Sequence, residues 1–136
     1  LAALDAGQAM SEVADRLIPT MVAPLALPAG AALAQYPAGL ALAHACMSAV
    51  PPSTYRASMH ALVKFEQRAA LPSITVPTLC LAGEYDKTAP PEVLRRMALK
   101  IQNAEYECIA GVGHLMGFEQ EAPFLEAVLN FVRRHF

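Results

Sequence analysis

The sequence lacks a strong charge of either sign and a long apolar run, and each absence excludes a class of protein. The net charge is −2, with acidic and basic residues interspersed, so no basic surface is available for nucleic acid or for an anionic membrane. Proline or charged residues interrupt every apolar run before the roughly 20 residues that a membrane span requires. We therefore expect a soluble protein whose partners are neither nucleic acid nor membrane.

The sequence also has few cysteines, three in number and therefore odd, and it lacks a recognisable signal peptide. Cys46, Cys80 and Cys108 lie in apolar stretches, which favours buried, reduced thiols in a cytoplasmic protein over a disulfide framework. The chain begins at Leu1, inside a helical pattern and without an initiator Met. We expect that a further segment precedes it.

The amino-acid composition changes near Ser73 and divides the chain into two parts. Residues 1–72 are rich in Ala, Leu and Met and show helical apolar patterns separated by prolines. We expect Pro19 to kink or end the first helix, a second helical stretch broken near Pro37, and Ser53 to cap a third helix. This part is predicted to be a small all-helical layer that lies over another part of the protein.

Residues 73–136 alternate short apolar runs with amphipathic segments. The run before Gly83 is wholly apolar and bounded by turn residues, as in a strand buried in a parallel sheet. Tyr106 to Ala110 is predicted to be a second strand. Pro90 and Pro91 begin one helix, and a last helix extends from about Ala122. The predicted order is strand, helix, strand, helix, which is part of an α/β fold with a parallel sheet.

Two polar residues follow the ends of these strands. Asp86 comes three residues after Gly83, and His114 follows the Gly111 to Gly113 turn. Loops at the carboxyl edge of a parallel sheet converge, so we expect Asp86 and His114 to meet. A carboxylate beside an imidazole is the proton-handling half of a catalytic triad, because the acid orients the ring that exchanges the proton.

The nucleophile of such a triad is missing from the sequence. None of the five serines, at positions 11, 48, 53, 58 and 73, lies in the G-x-S-x-G pattern that forms a strand-to-helix elbow. The elbow is therefore absent from this sequence, and none of these serines can be assigned as the nucleophile.

The segment from Ile74 to Phe136 resembles the C-terminal end of α/β-hydrolases, through the pattern P-T-L-x-L-A-G-E-x-D, the G-x-G-H turn and the closing helix. Residues 1–72 resemble the helical cap of that family, and the phrase MSAVPPSTYRASMHALVKFEQRAALPSI is most similar to 3-oxoadipate enol-lactonases and related esterases. The resemblance implies Asp86 as triad acid, His114 as base, a small ester or lactone as substrate, and no metal or organic cofactor. It also implies that the nucleophile and the oxyanion hole lie upstream of Leu1. Two parallel strands with open edges should not remain a bare monomer, so we expect the N-terminal half of the hydrolase or a second copy of the chain as partner.

Several alternatives stay open. Leu115, Met116 and Phe118 are candidates for an apolar substrate pocket, although core packing is their default role. The spacing of His44 and Cys46 argues against a metal site, and a lone helical His usually makes a local hydrogen bond. The same motifs occur in dehalogenases, epoxide hydrolases and haloperoxidases. A non-catalytic C-terminal domain that self-associates through open sheet edges is the remaining alternative.

Overall fold

The computed structural model describes residues 7–136, and its first half is helical. Helix α1 spans Met10–Met21, α2 spans Ala38–Ser48 and α3 spans Pro52–Lys64. Short 3₁₀ turns lie at Leu33–Gln35 and Arg68–Ser73. Prolines separate these elements, since Pro37 precedes α2, and Pro51 precedes α3.

Helices α1 and α2 pack against each other along apolar residues spaced three and four apart. Ala14, Ile18 and Val22 from the first helix and its end meet Leu40 and Ala43 from the second, and all five are buried. This spacing places the residues on one face of each helix, so the pair encloses a small core. Burial of this face, more than helix propensity, stabilises helices of this length.

Of the two alternatives for Pro19, a kink or a helix end, the helix end was wrong, and the cap predicted at Ser53 was wrong as well. Helix α1 continues past Pro19 to Met21, because a proline in the last turn removes only one hydrogen bond of the helix. Ser53 does not cap α3: the helix begins one residue earlier, at Pro52, and no side chain caps it. The fixed φ angle of proline suits the first helical position, so Pro52 takes it.

The second half has the predicted strand, helix, strand, helix order. Strand β1, Thr78–Gly83, pairs in parallel with β2, Ala104–Ile109, in a register that sets Thr78 opposite Ala104 and Gly83 opposite Ile109. Helix α4, Pro91–Ala98, connects the strands. A four-residue helix α5, Met116–Glu119, and the closing helix α6, Glu121–His135, follow β2.

The connecting helix covers one face of the two strands. Cys80 of β1, Ala98 and Ile101 are buried together, with Leu94 and Tyr106 packed against them. The C-terminal end of helix α6 contacts β2, because Arg134 and His135 both bind the carboxylate of Glu105. The hydrogen bonds from His135 and then Arg134 lower the pKa of Glu105.

The expectation of three buried thiols was wrong for two of them. Cys80 is buried, and its burial raises the pKa of its thiol. Cys46 and Cys108 are free and exposed. Cys46 borders an open cavity and is not part of the packed core between α1 and α2. Cys108 lies beside exposed Glu107 in the less covered half of β2.

Across residues 7–136, no helix combines the length and the apolar content that crossing a membrane requires.

Candidate active site

Asp86 lies in the turn directly after β1. The side chain is almost completely buried, with 3% of its surface exposed. Its Oδ1 atom accepts backbone N–H groups from Thr88 at 2.8 Å and from Ala89 at 2.9 Å. A buried carboxylate needs such partners, and here they also fix the direction in which its second oxygen points.

His114 lies in the corresponding position after β2 and meets that second oxygen. Its Nδ1 atom is 2.9 Å from Oδ2 of Asp86, and its side chain is 36% exposed. The predicted meeting of the two residues is thus present in the structure. Whether the pair is catalytic stays a prediction.

The two turns are brought together by backbone contacts. The Tyr85 N–H donates to the Val112 carbonyl at 2.8 Å, and the Glu84 N–H donates to the Ile109 carbonyl at 3.0 Å. Gly83 lies so close to the Gly113 carbonyl oxygen that any Cβ atom at position 83 would overlap it. The Gly in the motif before Asp86 is therefore required by the approach of the histidine turn.

The geometry defines which nitrogen of His114 is free to react. An ionised carboxylate only accepts hydrogen bonds, so Nδ1 carries the proton in the hydrogen bond with Asp86. The neutral ring then presents an unprotonated Nε2, which has no hydrogen-bond partner among residues 7–136. An Nε2 atom of this kind, on a ring that is partly exposed, is suited to take a proton from a nucleophile and return it to a leaving group.

An apolar cavity of about 270 Å³ lies beside the histidine turn, between α1, α2 and the segment after His114. Leu115 and Phe118 line it, whereas Met116, the third candidate from the sequence, is not among the lining residues. The opposite wall comes from the helical half and consists of Ile18, Met21, Ala43, Cys46, Met47 and Val50.

The wall from the helical half was not predicted. Its residues recur at helical spacing in the sequence, but that spacing is equally typical of core residues, and the direction of the face depends on how α1 meets the histidine turn. The turn fixes that direction, because the His114 N–H donates to the Met21 carbonyl at 2.6 Å.

A larger cavity of about 870 Å³ is lined by other residues of α1 and does not include Asp86 or His114. His44 lines it, but both ring nitrogens already have partners: Nε2 is 2.9 Å from Oδ1 of Asp15, and Nδ1 is 3.4 Å from the Ser48 hydroxyl. The contact with Ser48, four residues away on α2, is the local hydrogen bond expected of His44, whereas Asp15 lies 29 positions away on α1. Among the described residues, no three His, Cys, Asp or Glu side chains are grouped to hold a metal ion.

The fold is that of the C-terminal portion of α/β-hydrolases, with the helical segment followed by two parallel β/α units. A hydrolase from Pseudomonas aeruginosa PA01 superposes with a TM-score of 0.79 and 26% identity, over 96% of this chain and 47% of that one. The enol-lactonase from Burkholderia xenovorans LB400 gives a TM-score of 0.76 at 23% identity, over 91% and 45%. The α/β class predicted from the sequence is confirmed, as an incomplete fold.

Curated relatives cover a shorter part of the chain. Polyketide synthase ThaQ from Burkholderia thailandensis is 38% identical over 74 residues, which is 54% of this chain and 4% of that protein. A 2-hydroxy-6-oxononadienedioate/2-hydroxy-6-oxononatrienedioate hydrolase from a Pseudomonas species is 33% identical over 64 residues, or 47% of this chain and 23% of that protein. The chain spans less than a quarter of the length of both. No family model matches the sequence.

Proposed function

We propose that this chain is the C-terminal part of a serine-type hydrolase that acts on a small carboxylic ester or lactone, and that Asp86 and His114 are its triad acid and base. The observation that carries the proposal is the 2.9 Å contact between His114 Nδ1 and Asp86 Oδ2 at the carboxyl edge of parallel strands. The buried carboxylate and the partly exposed ring have the burial that their two roles require.

In the proposed reaction, Nε2 of His114 removes the hydroxyl proton of a serine from the upstream segment while the serine oxygen bonds to the substrate carbonyl carbon. The same nitrogen then donates the proton to the leaving alkoxide as the carbon–oxygen bond breaks. A water molecule then attacks the carbonyl carbon of the acyl-enzyme while Nε2 of His114 takes its proton. The bond between the serine oxygen and the acyl carbon breaks as the same nitrogen returns that proton to the serine oxygen. Asp86 keeps Nδ1 protonated throughout and stabilises the positive charge that forms twice on the ring.

The apolar cavity favours a substrate whose acyl or ring portion is small and uncharged. Its lining contains no charged side chain, and its volume of about 270 Å³ is below that of pockets that enclose drug-sized ligands. Solved structures with this fold include an esterase and an enol-lactonase by name. We propose the same class of substrate here, with Leu115 and Phe118 contacting its apolar part; a contact with Met116 remains a weaker prediction.

We further propose that the partner of this chain is the N-terminal half of the same hydrolase. Leu25, Val63 and Leu99 are each more than four-fifths exposed. Within the described residues the sheet has two strands, so the outer edge of each carries unpaired backbone groups, which are a template for a further strand. In this arrangement residues 1–72 are the cap and residues 73–136 complete the core.

The proposal is tested by assaying the full-length protein and the 136-residue chain in parallel with short aromatic esters and small lactones. We expect hydrolysis by the full-length protein alone, and covalent labelling by a fluorophosphonate at one serine in an upstream G-x-S-x-G sequence. Absence of turnover with every ester and lactone would contradict the proposal. Turnover of a haloalkane through a labelled aspartate would favour the dehalogenase alternative, and a folded dimer of the 136-residue chain would favour self-association.

Replacing Phe118 by alanine tests the apolar cavity. Phe118 is 38% exposed, so its loss should leave the fold intact while removing one wall of the cavity. We expect KM for esters with apolar acyl groups to rise about tenfold, because a truncated aromatic contact is worth roughly 1–2 kcal/mol, and kcat to change less. Phe136→Ala, which removes an 89% exposed ring away from the cavity, is the matched control. An unchanged KM would place the substrate elsewhere.

A further inference from the structure

Glu119 binds the backbone on both sides of the junction between the helical half and the histidine turn. Its Oε2 atom accepts the Ala23 N–H at 2.8 Å. The Gly113 N–H donates to the same carboxylate, at 2.9 Å from Oε1 and 3.0 Å from Oε2. One half-buried carboxylate therefore joins residues that are 96 positions and six positions away in the chain.

The junction that Glu119 joins is tightly packed. The His114 N–H donates to the Met21 carbonyl at 2.6 Å, and a Cβ atom on Gly113 would lie 2.5 Å from that same oxygen. The backbone of the histidine turn thus rests directly on residues 21–23. These contacts allow little displacement as long as the carboxylate holds both segments.

We propose that Glu119 is a positioning residue for His114: it holds the Gly113–His114 backbone so that the ring meets Asp86, and it couples that position to the end of α1. The expected effect on turnover rests on the proposed function. The expected effect on the placement of His114 does not, because that placement is measurable without any substrate.

A carboxylate is well suited to this task. Hydrogen bonds from N–H groups to an ionised oxygen are about twice as strong as neutral ones, and here two donors share one charged group. Its loss would leave two backbone N–H groups of a packed junction without their acceptor, which favours a shift of the turn. A misplacement of about 1 Å in an active site can lower turnover on the order of 100-fold.

Glu84 provides an informative comparison on the other side of the same turn. Its Oε2 atom accepts the Gly111 N–H at 2.8 Å, in an exposed position. It therefore fixes the start of the turn but not the junction with the helical half. Since water can replace an exposed acceptor, we expect Glu84→Ala to have a smaller effect than Glu119→Ala.

The experiment compares Glu119→Ala and Glu119→Gln in the full-length protein, with Glu126→Ala as control, since Glu126 is an exposed carboxylate of α6. Turnover is measured per folded molecule, and the proton on Nδ1 of His114 is observed by NMR, where a bond to a carboxylate gives a far-downfield signal. Glutamine retains one oxygen at the junction and should keep most of the placement.

For Glu119→Ala we expect kcat to fall about 100-fold and the Nδ1 signal to weaken or move, while Glu119→Gln stays within tenfold and Glu126→Ala matches the parent. A purely stabilising role would reduce the folded fraction and leave the kcat and Nδ1 signal of the folded molecules unchanged, which would overturn the proposal. A displaced Nδ1 signal in a protein that hydrolyses no ester would support the placement and reject the proposed function.

Discussion

Replacing His114 by alanine is expected to lower kcat of the full-length protein on the order of 10⁶-fold, as removal of the general base does in serine hydrolases. The ring is the proposed carrier of the proton in both halves of the reaction, and its Nε2 has no other role among the described contacts. KM should change little, because the ring takes no part in the apolar cavity. Single-turnover and steady-state assays on the same sample measure both constants.

His44→Ala is the matched control for this substitution. His44 is also paired with an aspartate, at 2.9 Å from Asp15, but it lies on α2 and away from the sheet edge. Because it is buried, its removal should lower stability while each folded molecule retains its turnover. Added imidazole should partly restore activity to His114→Ala and leave His44→Ala unchanged. Activity of His114→Ala within tenfold of the parent would remove His114 from the mechanism.

Much of the site could be predicted from the sequence because it depends on local rules. A wholly apolar run ended by Gly83 predicts a buried strand, and polar residues after two such strands meet wherever the strands are parallel neighbours. The parallel pairing of β1 and β2 satisfies that condition, and Asp86 reaches His114. Predicting that Asp86 and His114 meet therefore required no knowledge of the helical half.

The contacts between the two halves could not be predicted in this way. Glu119 meets Ala23, 96 residues away, and no periodicity or spacing in the sequence marks that pair. The same holds for the wall of the apolar cavity, where Met21 and Met47 face Leu115 only because α1 ends against the histidine turn. Such contacts follow from tertiary packing, whereas the strand-end residues follow from a rule of sheet topology.

The predictions of helix boundaries and of cysteine burial were wrong for a related reason. The local environment of a residue depends on which neighbours are present. Pro19 is tolerated because it falls in the last turn of α1. Cys108 lies in an apolar stretch of sequence, yet it is exposed on a strand that has one neighbour among the described residues. A further strand supplied by an upstream segment would change that exposure.

Replacing Asp86 by asparagine is expected to lower kcat about 10⁴-fold, with the fold preserved, as in serine proteases with the same change. Asparagine has nearly the same shape, so packing in the buried site is retained. The reason for the loss lies in its two chemically different ends, because one of them must face His114 and the other must face the Thr88 and Ala89 N–H groups.

Those two N–H groups determine which way the asparagine faces. They can only donate, so the amide oxygen stays with them and the NH₂ group points toward Nδ1 of His114. The ring then accepts at Nδ1 and carries its proton on Nε2. In that tautomer Nε2 has no lone pair with which to take the proton of a serine.

Asp15→Asn is the corresponding control, because it makes the same chemical change in the partner of His44. The side chain of Asp15 is 58% exposed, so its amide can turn to suit the ring and turnover should match the parent. Nitrogen NMR of the two histidines should report a changed tautomer for His114 alone. If Asp86→Asn retained more than a tenth of the parental kcat, Asp86 would be a residue of the turn, and the acid of the triad would lie elsewhere.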